Sequence, residues 1–387
     1  MSGTLGLYLH VPFCARRCDY CDFFVIPGRL EEAEGGPGDW LAWMRRELER
    51  ETSGAGRSGR EVESIYLGGG TPSYVPPEIL AGLLDACRAA LPVLPDAEIT
   101  LEANPESVTA RRAASWRLSG VNRLSLGAQS LSDEVLAPRG RLHDAAGVLA
   151  AARAARREGF DNLGVDLIAG LPGETAESFT GGIEQVMAMG PEHVSVYLLE
   201  TGESGKRSAL AQAVEQGRVV PCDEDEAAGM FVEADRRLSA AGWEHYEIAN
   251  FARPGRASRH NLRYWRSDDY LGLGPSAHSC VDGRRWSNPA SMDGWKAAIR
   301  EGRPAGLEYT LAGPESRARE ALVLELRLLR GVDPDRFARR WGWDPRRELA
   351  AFLAEMEEAG LLHRPGGRLA LTRRGVLMSN DVFSRIA

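Results

Sequence analysis

Apolar residues gather in short runs that recur along the first half of the chain, each leading into a polar or turn-forming cluster. Leu5–His10 leads into a cysteine-rich segment, Val62–Leu67 into Gly68-Gly69-Gly70-Thr71-Pro72-Ser73, and Glu98–Leu101 into Glu102-Ala103-Asn104-Pro105. Arg123–Leu126 leads into Gly127-Ala128-Gln129-Ser130, Asn162–Val165 into Asp166, and His193–Leu198 closes the series. Between them, Trp40–Glu51, Pro77–Leu91, Asp144–Glu158 and Glu174–Met189 have helical character. Strands alternating with helices predict a parallel sheet covered by helices, an α/β fold. In barrels of this kind the chemistry sits on loops at the carboxyl ends of the strands, where the polar clusters fall. Thr52–Gly59 and Arg29–Gly38 are expected to be surface loops.

The texture changes after residue 200. Asp223–Ala241 predicts one amphipathic helix, and Trp243–Trp286 is rich in His, Tyr and Trp. From Pro314 three helical segments precede Gly360–Thr372, which reads as a hairpin between apolar runs. Helices followed by a small hairpin suggest a winged-helix-like tail. A net charge of −8 argues against phosphate-backbone binding, so the tail is expected to pack or cover substrate, with no nucleic acid as partner.

With 387 residues, 43% of them apolar, the chain has material for a large core. It has no run long enough to span a membrane, and a strand is predicted by about residue 6 with no secretory leader before it. Three of six cysteines crowd together, unlike a secreted disulfide framework. The expected location is the cytoplasm.

Those three, Cys14, Cys18 and Cys21, stand in a Cys-x3-Cys-x2-Cys pattern. Three thiolates can hold three corners of a [4Fe–4S] cube and leave one iron open to a small molecule. A zinc knuckle is the other reading, although structural zinc usually takes four ligands and no second pair follows at short range. A small molecule suited to an open iron at a barrel mouth is S-adenosylmethionine, which chelates through its amino and carboxylate groups. Gly68–Gly70 would let backbone approach its methionine end. Glu102 would accept from the ammonium or a ribose hydroxyl, Arg141 would pair with the carboxylate, and Gln129 and Asp166 would take ribose hydroxyls. Each of these alone reads better as a capping or solvated residue; their succession at strand ends reverses that reading and favours a ligand site.

The cysteine triplet, Gly68–Ser73, Gln129-Ser130 and Asp166-Leu-Ile-Ala-Gly-Leu-Pro-Gly173 together resemble radical S-adenosylmethionine proteins of the coproporphyrinogen dehydrogenase-like group. The resemblance runs over nearly the whole chain. It implies a partial β/α barrel of six units at 1–200, a barrel extension at 201–305 and a smaller winged-helix-like α+β domain at 306–387. It also implies a cluster on Cys14, Cys18 and Cys21, with Tyr8 and Tyr20 flanking cluster and adenosine. Gly69, Gly70 and Thr71 would border the methionine end, and Glu102, Gln129, Arg141 and Asp166 the rest.

Two branches of the group differ here. The dehydrogenase branch has a fourth cysteine where this chain has Phe23, and an N-terminal arm for which no room is expected. The haem-chaperone branch lacks both and carries His-Asn-x-x-Tyr-Trp, found as His260–Trp265. In that motif His260 is the candidate haem ligand and the aromatics would flank the macrocycle. His278 is a second candidate, while Cys222 and Cys280 read as buried thiols. The resemblance implies a haem-binding protein that passes haem to haem-requiring acceptors such as respiratory enzymes. It also implies a flavodoxin- or ferredoxin-type reductant and a homodimer. Oxidative decarboxylation of coproporphyrinogen III is the alternative.

Overall fold

The structure is a computed structural model that describes residues 3–33, 35–53, 59–200, 208–302, 307–308 and 313–386. The centre of the loop expected at Thr52–Gly59 lies outside them. Six strands run parallel in chain order: β1 (Thr4–Val11), β2 (Glu61–Gly69), β3 (Val93–Ala103), β4 (Arg123–Gln129), β5 (Leu163–Ala169) and β6 (His193–Leu198). Between them lie α1 (Gly36–Thr52), α2 (Pro77–Ala90), α3 (Ala110–Leu118), α4 (Ala145–Arg157) and α5 (Ala176–Met189). The patterning missed the short α3 and a single turn at Asp133–Leu136, and the first three residues of α1, Gly36 to Gly38, fall inside the expected loop. Local chemistry sets the helix starts: Asp144 accepts from the Gly147 amide at 2.7 Å, and Thr175 and Ser178 form a reciprocal cap on α5.

One expectation needs correction. Asp166 does not follow its strand but sits in the middle of β5, facing the barrel interior.

Residues beyond β6 dress both edges of the same sheet. After α6 (Glu224–Ala240), β7 (Glu244–Glu247) and β8 (Asn250–Ala252) add antiparallel strands beside β6. The chain passes through α7 (Arg259–Trp265) to β9 (Tyr270–Leu273), which pairs parallel with β1 on the opposite flank. There β10 (His278–Val281), β11 (Arg284–Ser287) and β12 (Leu307–Glu308) continue it antiparallel.

The tail carries α8 (Gly313–Leu326), α9 (Pro334–Trp341) and α10 (Ala350–Glu358), then a hairpin of β13 (Leu362–His363) and β14 (Ala370–Leu371), then two short helices. Its Leu322, Phe337, Leu353 and Phe383 share one apolar cluster with Val165 and Val194 of the sheet. Burying such side chains is worth ~1.5–3 kcal/mol each, so tail and barrel stabilise one another.

Within the barrel strands, outward residues such as Leu67, Leu101, Leu124, Val165 and Val194 are apolar and packed under helices. Their inward neighbours Tyr66, Glu102, Ser125, Asp166 and Ser195 line a cavity. A closed eight-stranded barrel would fill that space with branched apolar side chains. Here it is polar and open.

Candidate functional site

The cysteine loop is tied at its base. Phe13–Cys14 pairs with Ile26–Pro27, the Ile26 amide donates to the Pro12 carbonyl at 2.7 Å, and the Gly28 amide donates to that of Cys14 at 3.0 Å. The glycine loop after β2 is stitched to the same segment: the Gly70 and Thr71 amides donate to the Val11 and Phe13 carbonyls, both at 2.8 Å. A Cβ on Gly70 would lie 2.8 Å from those two oxygens, and one on Gly69, whose φ is +109°, would strike the His10 ring at 2.5 Å. The glycines are thus required by the chain's own packing, whatever a ligand adds.

The three thiols line one wall of a cavity of about 510 Å³ inside the barrel mouth. Cys14 is buried, with its Sγ 3.1 Å from Thr71 Oγ1, and burial pushes its thiol up to about 11. Burial also raises Cys21. Among the described residues no three His, Cys, Asp or Glu side chains are gathered into a cage for a single ion. Three thiols beside a guanidinium and a polar lumen, with no fourth thiol in the lining, fit a cluster with an open iron better than a closed four-ligand ion site.

Arg141 is the cationic hub. Its guanidinium donates to Asn104 Oδ1 at 2.9 Å, to the Gly127 carbonyl, to Tyr20 OH at 3.4 Å and to Cys18 Sγ at 3.7 Å. Its Nε is buried without a partner, a donor left for an incoming carboxylate.

Glu102 accepts from Tyr66 OH at 2.8 Å and from the Gly69 amide at 3.1 Å, and burial raises its carboxyl to about 7. Asp166 accepts from Ser195 at 2.6 Å and Ser125 at 3.0 Å and is likewise raised by burial. A register shift between Gly127 and Gln129 re-aims the end of β4 and holds Gln129 at a φ of +67°. A non-glycine residue so held is strained, and Gln129 lines the cavity.

Cys14, Cys18, Cys21, Tyr20, Gly69, Gly70, Thr71, Glu102, Gln129, Arg141 and Asp166 therefore share one cavity. Tyr8 and His260 lie elsewhere. Tyr8 borders a second cavity, across the Asp22–Phe23 segment. His260 is 1% exposed, with Nδ1 3.0 Å from Ser64 Oγ, Nε2 2.8 Å from Tyr264 OH, and a ring lowered to about 3 by burial and then by Arg263 and Arg123. Both its nitrogens are engaged. Trp265, expected against a macrocycle, carries the Arg327 guanidinium 4.2 Å from its ring centre.

Sequence reasoning missed Tyr66, Asn104, Arg123, Ser125 and Ser195, all in the cavity wall. Arg123 is fully buried; its guanidinium donates to Thr100 Oγ1 at 3.5 Å, and its Nε has no partner among the described residues. The signal was present as strict alternation, in Arg123-Leu-Ser125-Leu-Gly127 and His193-Val-Ser195-Val-Tyr197. A parallel strand buried on both faces reads apolar throughout, so alternation marks a polar lumen.

Residues 8–184 match the Radical SAM superfamily and residues 313–378 the HemN C-terminal domain. The chain is 39% identical over 385 residues to "Heme chaperone HemW" of Mycobacterium tuberculosis, covering 97% of this chain and 93% of that protein. It is 32% identical over 381 residues to the protein of the same name from Bacillus subtilis, covering 97% of each. The structure of coproporphyrinogen III oxidase (HemN) from Escherichia coli, a radical SAM enzyme, superposes with a TM-score of 0.85 at 23% identity. It covers 99% of this chain and 90% of HemN, a likeness of fold. The chain belongs to the radical SAM superfamily and, within it, to the HemW family.

Proposed function

We propose that this protein is a haem chaperone that retains an iron–sulfur cluster and an S-adenosylmethionine site. The observation that carries this reading is the end-to-end identity to proteins named haem chaperones. Phe23, standing where the dehydrogenase branch has a cysteine, supports it.

In this reading Cys14, Cys18 and Cys21 hold a [4Fe–4S] cluster, which supplies, when bound, an electron and an open iron. Arg141 receives the methionine carboxylate through its unpartnered Nε, while Gly69, Gly70 and Thr71 border that end of the ligand. Glu102 holds a proton near neutral pH in the empty cavity and gives it up as it accepts from the ammonium or a ribose hydroxyl. Asp166 and Gln129 take ribose hydroxyls, and Tyr20 flanks the adenosine. His260 belongs to the haem side through its bond to Tyr264. Haem is then handed to haem-requiring acceptors such as respiratory enzymes in the cytoplasm. A flavodoxin- or ferredoxin-type protein serves as reductant, and the working form is a homodimer.

The test is haem titration of the anaerobically reconstituted protein, followed by absorption spectroscopy. The same samples receive coproporphyrinogen III, S-adenosylmethionine and reductant. Stoichiometric haem uptake without decarboxylated product is expected. Formation of protoporphyrinogen without specific haem uptake would replace the chaperone by a dehydrogenase.

A further inference from the structure

The lumen runs deeper than most of the residues assigned to S-adenosylmethionine. In the register of the sheet Gly127, Asp166 and Ser195 form one row. Glu102, Ser125, Gly164 and His193 form the next row down, and Tyr66, Thr100 and Arg123 the row below that. The strand from Gly127 back to Arg123 descends ~13 Å. Side chains from all three rows line the same cavity.

Helix α7 closes the lower end. One row further down lie Ser64 and Glu98; the His260 ring meets Ser64 Oγ at 3.0 Å, and the His260 amide donates to Glu98 at 3.2 Å. Asn261, next in the chain, lines the cavity. The His-Asn pair fastens the floor with one residue and presents the other to the lumen.

We infer that this floor is a subsite for a carboxylate, held by Arg123, His193 and Asn261. The inference rests on the reading of the upper lumen as the S-adenosylmethionine site and adds a second ligand, an organic acid, beneath it.

Arg123 is 1% exposed and its Nε has no partner among the described residues. The acids around it are engaged elsewhere. Glu98 accepts from the His260 amide and, at 3.5 Å, from Ser258 Oγ, while Asp166 accepts from Ser195 and Ser125. They act on the guanidinium through space, whereas a buried charge ordinarily has a bonded partner.

His193 is equally buried, with Nε2 2.9 Å from Tyr246 OH and Nδ1 without a partner among the described residues. Burial, and then the Arg123 charge, hold the ring far below its ordinary value, so it is neutral. With Tyr246 donating to Nε2, Nδ1 carries the proton and becomes a donor. The two groups converge over Gly164: a Cβ there would lie 3.4 Å from Arg123 Nη2 and 3.6 Å from His193 Nδ1. Asn261 adds a carboxamide donor.

A planar anion with two oxygens matches this set. It takes the guanidinium on one side and keeps lone pairs for the imidazole and the carboxamide. A water molecule would satisfy Nε but leave the charge without a bonded counter-ion. The acid is either a small free one or the end of a longer molecule that reaches down the lumen.

The experiment titrates acetate and hexanoate, against a constant chloride background, into the reconstituted full-length protein by calorimetry. Wild type stands beside Arg123→Lys, Asn261→Ala, His193→Phe and Arg141→Met, with cluster content as the folding control. Saturable acetate uptake at one site is expected, weakened by about tenfold in Arg123→Lys and kept in Arg141→Met. Asn261→Ala and His193→Phe should each weaken it several-fold, and they decide the matter if Arg123→Lys loses its cluster. Tighter binding of acetate than of hexanoate supports a small free acid, and the reverse order the end of a longer one. No uptake by the wild type, loss in Arg141→Met with Arg123→Lys unchanged, or competition with S-adenosylmethionine would overturn the subsite and leave the upper reading intact. Failure of the wild type to bind S-adenosylmethionine would sink that reading instead.

Discussion

Asp22 and Phe23 stand in the walls of two cavities made by opposite means. The first pocket is charged and rich in hydrogen bonds: Arg141, Glu102 and Asp166 each have partners on neighbouring segments. The second cavity is ringed mostly by aromatic side chains. Buried charges must be paired or solvated, so the first pocket has its geometry fixed by the fold and admits a narrow class of ligand. Aromatic walls bind by area and shape and need few directed bonds.

The largest effect expected from breaking this contrast comes from Cys18→Ser. It should abolish the assembled cluster, seen as loss of its visible absorption on anaerobic reconstitution, while haemin uptake survives. Loss of both together would mean that haem uptake depends on the cluster.

Next is Arg141→Met. Removing a charge-assisted carboxylate partner costs ~1.5–3 kcal/mol, so S-adenosylmethionine affinity should fall by roughly ten- to a hundredfold in calorimetry. Haemin affinity should stay put.

A third test uses pH. The folded Glu102 carboxyl is raised from 4.5 to about 7, chiefly by burial. In the empty protein this favours the fold fully below the unfolded value, and the benefit is lost as pH rises through about 7. An ammonium needs the charged form, so S-adenosylmethionine affinity should drop up to tenfold per unit as pH falls below about 7. Glu102→Gln should flatten that slope. A wild-type profile flat from pH 5.5 to 8, or an unchanged slope in the variant, would remove Glu102 from the ligand.

The smallest effect should come from Phe23→Ala. An exposed aromatic outside the packed core changes stability by about 0.5 kcal/mol or less. S-adenosylmethionine affinity should move by less than about twofold, and a larger change would make Phe23 a contact of that ligand and not merely a wall of the first cavity.

The contrast also explains what could be read from the residues. The cofactor pocket is built from segments that announce themselves locally: a cysteine triplet, a glycine run, and polar groups at or near the ends of successive strands. Each requires only a neighbour in sequence to be recognised. Asp166 was found although its strand ran further than expected, because its place in the order was right. Arg123 and Ser195 went unnoticed because they lie inside strands, where only the direction of the side chain separates lumen from core. Tyr8, Phe24, Tyr264 and His278 come together only after β9 crosses to pair with β1. No local pattern encodes that crossing. The burial of His260 follows from the same packing and was invisible for the same reason.

The placement of β1 has a consequence for how the protein comes into being. Leu7 bonds in register with Ile65 on one side and with Leu271 on the other. A ribosome delivers the second partner only after most of the chain has emerged, and pairing over such a separation is slow and costly in loop entropy. Until then the nascent half-barrel carries an unpaired strand edge, open to wrong partners. The cysteine loop and its glycine cradle are complete early, whereas the aromatic cavity waits for residues up to His278. Maturation therefore has an order written into the topology: the cysteine end is ready first, and the aromatic end exists only once β9 and β10 have joined the sheet.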